Sequence, residues 1–120
     1  MNITLTNENG TGLAQVESNQ LVINSVQDAL DLMANCGYQG ADRIIVHERN
    51  LTPAFFDLKT GVAGEILQKF SNYNVFLAIV GDFAKYPSKS LRDFIYESNK
   101  RGRINFVSTE EEAKEKLIKR

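Results

Sequence analysis

A chain of 120 residues, 42% hydrophobic and 24% charged, has apolar material for one core and too little length for two, so a single domain over residues 1–120 is expected. Fourteen basic against fifteen acidic residues leave a net charge of −1, which removes the overall attraction that a phosphate-backbone binder uses and argues against nucleic acid as a partner. The same composition excludes a disordered chain, and no run of about eighteen apolar residues is present to form a membrane span.

The opening Met1-Asn2-Ile3-Thr4 has no basic start, apolar stretch or cleavage pattern of an export leader, so cytoplasmic residence is the expectation. Ile3-Thr4-Leu5-Thr6 and Leu13-Ala14-Gln15-Val16-Glu17 flank a polar, glycine-bearing turn and predict a β-hairpin. Leu21-Val22-Ile23 reads either as a short strand or as the approach to a helix. The first helix follows, capped by Ser25, with Ala29, Leu30, Met33 and Cys36 on one face and Gly37 as its stop. Cys36 has no partner for an internal disulfide and falls on that inward face, where it reads as a small buried hydrophobe.

Arg43-Ile44-Ile45-Val46-His47 has the continuous apolar centre of a strand buried on both faces. Val62, Ala63, Ile66, Leu67 and Phe70 then recur at helical spacing, and Val75 to Val80 runs apolar into Gly81 as the most central strand. Pro87-Ser88-Lys89-Ser90 starts a third helix with Leu91, Phe94 and Ile95 inward and Gly102 as its stop. Its basic end, Lys100-Arg101-Gly102-Arg103, suits the exposed carbonyls of a helix C-terminus and needs no binding role. Ile104-Asn105-Phe106-Val107 is the last strand. Ser108-Thr109-Glu110-Glu111 has capping-box spacing for a fourth helix that carries Ala113, Leu117 and Ile118 to the C-terminus.

The resulting order, β-β-α-β-α-β-α-β-α, makes the strands from residue 43 onward parallel and the hairpin antiparallel, giving an α/β fold with a mixed, mostly parallel sheet. Ligands and partners of such sheets meet the carboxyl ends of the parallel strands. That edge should gather His47-Glu48-Arg49, the 50–60 loop, Asp82-Phe83-Ala84-Lys85 and Ser108. Within it, Phe55-Phe56-Asp57-Leu58-Lys59-Thr60-Gly61 joins a strand to a helix and presents two adjacent aromatics and a hydroxyl. Two readings stand: both phenylalanines pack in the core, or one plugs the core and the other, exposed, anchors a protein partner or a self-association contact. A phosphate on Thr60 would meet the positive end of the helix macrodipole and unsatisfied backbone N–H groups, with Lys59 beside it; unmodified, Thr60 has the chemistry of a helix N-cap.

The element order, with a hydroxyl residue directly before a glycine at the start of the second helix, resembles the sulfate-transporter and anti-sigma-factor-antagonist (STAS) domain. Asp57-Leu58-Lys59-Thr60-Gly61-Val62-Ala63-Gly64-Glu65-Ile66-Leu67-Gln68-Lys69-Phe70 and Leu77-Ala78-Ile79-Val80-Gly81-Asp82-Phe83 resemble a bacterial family known as domain of unknown function 4180, which implies no particular activity. Antagonist members of the STAS family carry an aspartate-serine-serine-glycine stretch whose serine is phosphorylated by a partner kinase. The resemblance puts Thr60 in that serine's place, while Leu58 stands where the family has its aspartate and Asp57 is displaced by one residue. It implies a noncatalytic regulatory module with an unidentified protein partner, a contact surface of Phe55, Phe56, Asp57, Lys59 and Gly61, and Thr60 as the phosphorylation site.

The alternative is a small-molecule binding protein or enzyme using His47, Glu48, Asp57 and Asp82, since a histidine oriented by a carboxylate can act as a general base. One histidine and one cysteine at unrelated positions do not make a zinc site, and no GxxxxGK[ST] loop occurs, so no cofactor is expected. Homodimerisation through an edge strand or the aromatic loop is compatible with a sequence that holds no heptad or symmetric motif to specify it.

Overall fold

The computed structural model describes residues 1–118 and has the expected element order. The elements are β1 (Asn2–Glu8), β2 (Thr11–Glu17), α1 (Val26–Tyr38), β3 (Arg43–His47), α2 (Val62–Asn72), β4 (Phe76–Val80), α3 (Lys89–Arg101), β5 (Ile104–Val107) and α4 (Glu110–Ile118). The expectation that α4 continues to the C-terminus lies, for Lys119 and Arg120, outside the described residues.

The five strands stand in chain order across one sheet, with β1–β2 antiparallel and the other pairs parallel, so β3 and not the expected β4 is the most central. Asn9 (φ 54°) and Gly10 (φ 82°) turn the hairpin, the paired left-handed residues that match the twist of flanking strands. Because successive crossovers share one hand and the strand order never reverses, α1, α2 and α3 all fall on the same face. There Ala14, Val16, Ile44, Val46, Leu77 and Ile79 meet the buried faces of the helices in the larger core. The alternate residues Leu13, Ile45, Ala78 and Val107 point the other way and are covered by Ala113 and Leu117 of α4. Buried runs in β3 and β4 thus reflect a helix layer on each side.

Local chemistry sets the ends of these elements. Ser25 accepts a hydrogen bond from Asp28 N at 3.1 Å and Ser88 from Leu91 N at 3.1 Å, each cap contributing about 1 kcal/mol. Gly102 ends α3 in the left-handed region, as its position in the sequence suggests. Gly37, expected to stop α1, instead lies inside it; the helix reaches Tyr38, and Gly40 supplies the left-handed residue (φ 92°). At α4 the capping pair is shifted by one residue, with Thr109 Oγ1 accepting from Glu112 N and Glu112 Oε1 from Ser108 N. Ile23, left open between strand and helix, forms an isolated parallel bridge with Leu51. Cys36 is fully buried, and loss of hydration pushes its thiol up to about 11, as expected of a packing residue.

Candidate functional site

Beyond His47 the chain makes short 3₁₀ turns at Glu48–Asn50, Pro53–Phe56 and Leu58–Thr60 before α2 begins. The first is held by Asn50, a residue the sequence reading did not single out. Its fully buried side chain accepts from His47 N at 2.8 Å and donates to the Ser18 and Gln20 carbonyls at 2.9 Å, while its own carbonyl accepts from Val22 N and Ile23 N. The segment after β2 is thereby tied to the segment after β3. A polar amide three residues past the end of a buried strand was the available signal.

In the second turn Thr52 Oγ1 accepts from Ala54 N at 3.3 Å, and Pro53 sits at the first turn position, where its missing N–H costs nothing. Phe55 is 0% exposed and Phe56 8%, so both enter the core and neither is an exposed anchor. Their rings meet edge to face at 5.1 Å, and Phe56 also stacks on Tyr86 at 5.0 Å. Neither the two-residue period of a strand nor the 3.6-residue period of a helix governs side-chain direction in this 3₁₀ turn, which packs against α2.

Asp57, Lys59, Thr60 and Gly61 lie exposed above them. Asp57 Oδ1 accepts from Lys59 N at 3.2 Å, starting the third turn. Thr60 Oγ1 lies 2.7 Å from Ala54 O and 2.8 Å from Asp57 O, so its one hydroxyl proton is shared between two carbonyls, and the same oxygen accepts from Val62 N at 3.3 Å. The expected N-cap role is corrected in one respect: Gly61 (φ 76°) occupies the cap position of α2 and Thr60 reaches the helix from one residue earlier. The hydroxyl therefore staples both turns to each other and to the start of α2.

His47 and Glu48 are adjacent in sequence but diverge. His47 lies on the α4 side, with Nε2 3.0 Å from Glu110 Oε2. Glu48 turns to the opposite side, where its carboxylate accepts from Tyr86 Oη and from Asp82 N at 3.3 Å and pairs with Lys85 Nζ at 2.8 Å. Gly81 leaves room for it, since a Cβ there would stand 2.8 Å from Glu48 Cβ and Oε1. Partial desolvation pushes the Glu48 pKa up, but the hydrogen bonds from Lys85 and Tyr86, the Lys85 charge and the Asp82 N–H outweigh it and hold the carboxyl below its ordinary value. Burial and the Glu48 carboxylate raise the Tyr86 phenol.

Asp82 and Asp57 each close their own turn, Asp82 Oδ1 accepting from Ala84 N at 3.2 Å. Of the four residues of the enzyme alternative, Glu48 and the Asp82 N–H thus share one network, while His47 with Glu110 and Asp57 with Lys59 N each stand in another. A groove of about 370 Å³ lies beside His47 and Glu110, whereas one of about 520 Å³ lies beside Glu48, Phe56, Lys85 and Tyr86. A third, of about 500 Å³, lies at the opposite edge between α1 and Tyr73 and contains none of the candidate site residues read from the sequence. Among the described residues, no group of three or more His, Cys, Asp or Glu side chains is placed to hold a metal ion. No helix of the described residues is long and apolar enough to cross a membrane.

No curated protein matches the chain. Among solved structures, a candidate anti-sigma factor antagonist from Thermotoga maritima matches with a TM-score of 0.45 and 15% identity, over 97% of this chain and 94% of that one. The segments of α2 and β4 that carry the sequence resemblance fall within a match of the family model "Domain of unknown function (DUF4180)" over residues 8–117, and the chain belongs to that family.

Proposed function

We propose that the chain is a noncatalytic, cytoplasmic regulatory module that binds another protein through the surface around residues 53–61, with phosphorylation of Thr60 as its switch. The observation that carries this reading is the bonding of the Thr60 hydroxyl: it is exposed, yet it holds the turns that seat two buried phenylalanines. A phosphate ester has no hydroxyl proton to give to the Ala54 and Asp57 carbonyls and brings a charge of about −1.5 to −2 beside them. The N-terminus of α2 offers that charge a favourable position, so modification both breaks the staple and supplies an alternative place for the group. The surface offered to the partner changes shape as the loop leaves its seat over Phe55 and Phe56.

The test is recovery of the protein from its native cells, with modified residues and copurifying proteins identified by mass spectrometry. A Thr60 phosphate is expected, together with a partner retained by one phosphorylation state and lost by the other. Absence of that phosphate under both growth and stress conditions overturns the switch, and a partner whose binding is unchanged by Thr60→Glu overturns the contact surface.

A further inference from the structure

The two edges of the sheet are treated differently. At β5 the outward backbone groups are occupied by α3: Ser98 Oγ donates to Ile104 O at 2.7 Å, Asn99 Oδ1 accepts from Phe106 N at 2.7 Å, and Asn99 Nδ2 donates to Phe106 O at 3.3 Å. β1 has no such cover. Its two-residue turn makes Glu8 and Thr11 a hydrogen-bonded pair, and alternation along the antiparallel ladder directs the N–H and C=O groups of Ile3, Leu5 and Asn7 away from β2. Among the described residues no other donor or acceptor reaches these groups. β1 also lacks the usual protections of an edge: Asn2-Ile3-Thr4-Leu5-Thr6-Asn7-Glu8 has no proline or lysine, and its one-to-one register with β2 has no bulge.

We propose that β1 is the self-association surface of this protein, pairing antiparallel with β1 of a second copy so that the two sheets become continuous. A twofold axis at Leu5 sets Leu5 against Leu5, Thr4 against Thr6 and Ile3 against Asn7. In that register Ile3, Leu5 and Asn7 exchange both their N–H and C=O groups with the other copy. The strand is self-complementary there. Threonines face threonines, a favourable cross-strand pair, and Glu8, its one charged residue, meets Asn2 rather than another Glu8. Leu5, 40% exposed, gains apolar cover from its own counterpart.

Sedimentation equilibrium on the full chain tests this, with circular dichroism to check that each variant folds. A dimer is expected for the wild type. Leu5→Lys places like charges on the axis and should raise the dissociation constant by at least ~10-fold; Leu5→Glu should do the same; an equimolar mixture of the two should recover the affinity as a heterodimer. Leu5→Pro provides a second reading, because it removes an outward N–H while leaving the bonds to β2 in place. A wild type that stays monomeric at ~0.1 mM, a concentration at which weak specific dimers assemble, overturns the proposal. So does a dimer indifferent to these substitutions, or single-variant losses that the mixture does not restore.

Discussion

At Thr60 one oxygen contacts two carbonyls and one helix N–H, so the side chain carries structural work that Ser could share and Val could not. Thr60→Val keeps the shape and removes the hydroxyl; a typical net hydrogen bond is worth about 1 kcal/mol, and exposure lets water recover part of it. Chemical denaturation is therefore expected to show a loss of about 1 kcal/mol, with faster amide exchange over residues 53–61 and recovery in Thr60→Ser. A stability equal to wild type would mean that the staple is not holding the turns. Gly12 shows a different constraint. A Cβ there would lie 1.9 Å from the Gly40 carbonyl oxygen, so Gly12→Ala must push β2 away from the turn that precedes β3. The conflict is with backbone, which cannot rotate aside, and a loss of about 1–3 kcal/mol is expected in thermal or urea unfolding.

At the scale of elements, the sequence made the order legible because its hydrophobic periods alternate cleanly and because Ser25, Ser88 and Gly102 stand at the ends they control. It located the carboxyl edge and the helix start at residue 62 for the same reason. What it could not convey was side-chain direction within 3₁₀ turns: Phe55 and Phe56 lie in neither a period of two nor one of 3.6, and both are buried. Nor could adjacency in sequence reveal that His47 and Glu48 point to opposite sides of the sheet. Edge protection was equally hidden, since Asn99 lies on a helix and answers Phe106 across seven residues of chain. Asn99→Ala is expected to cost about 1–3 kcal/mol by leaving Phe106 N–H and C=O unpaired in a partly buried position. It also opens a second edge, so sedimentation should reveal species larger than those of the wild type; an unchanged size distribution would show that α3 alone shields β5.

For the molecule as a whole, stability should depend on pH through the contact between Glu48, on the segment after β3, and Tyr86, Lys85 and the Asp82 N–H, which follow β4. The folded state holds the Glu48 carboxyl below its ordinary value of 4.5, so the unfolded chain binds the proton more readily. Its contribution is accordingly complete above that ordinary value and disappears as pH falls through the lower folded value. The Tyr86 phenol is raised from 10.0, so the unfolded chain loses its proton first and the contribution tied to the neutral phenol is present below pH 10 and declines as pH rises beyond it. Glu48→Gln removes the ion pair and the charge-assisted bonds while retaining an acceptor. Because Glu48 is 15% exposed and Lys85 56%, the low end of the range for bonds to charged groups applies, about 1.5 kcal/mol near neutrality. Unfolding curves recorded from pH 7 to pH 3 should show the wild type above Glu48→Gln at neutral pH and the two converging as the medium is acidified. A gap that stays constant down to pH 3 would place the acid-sensitive contact elsewhere, whereas convergence absent in Tyr86→Phe would assign part of it to the phenol.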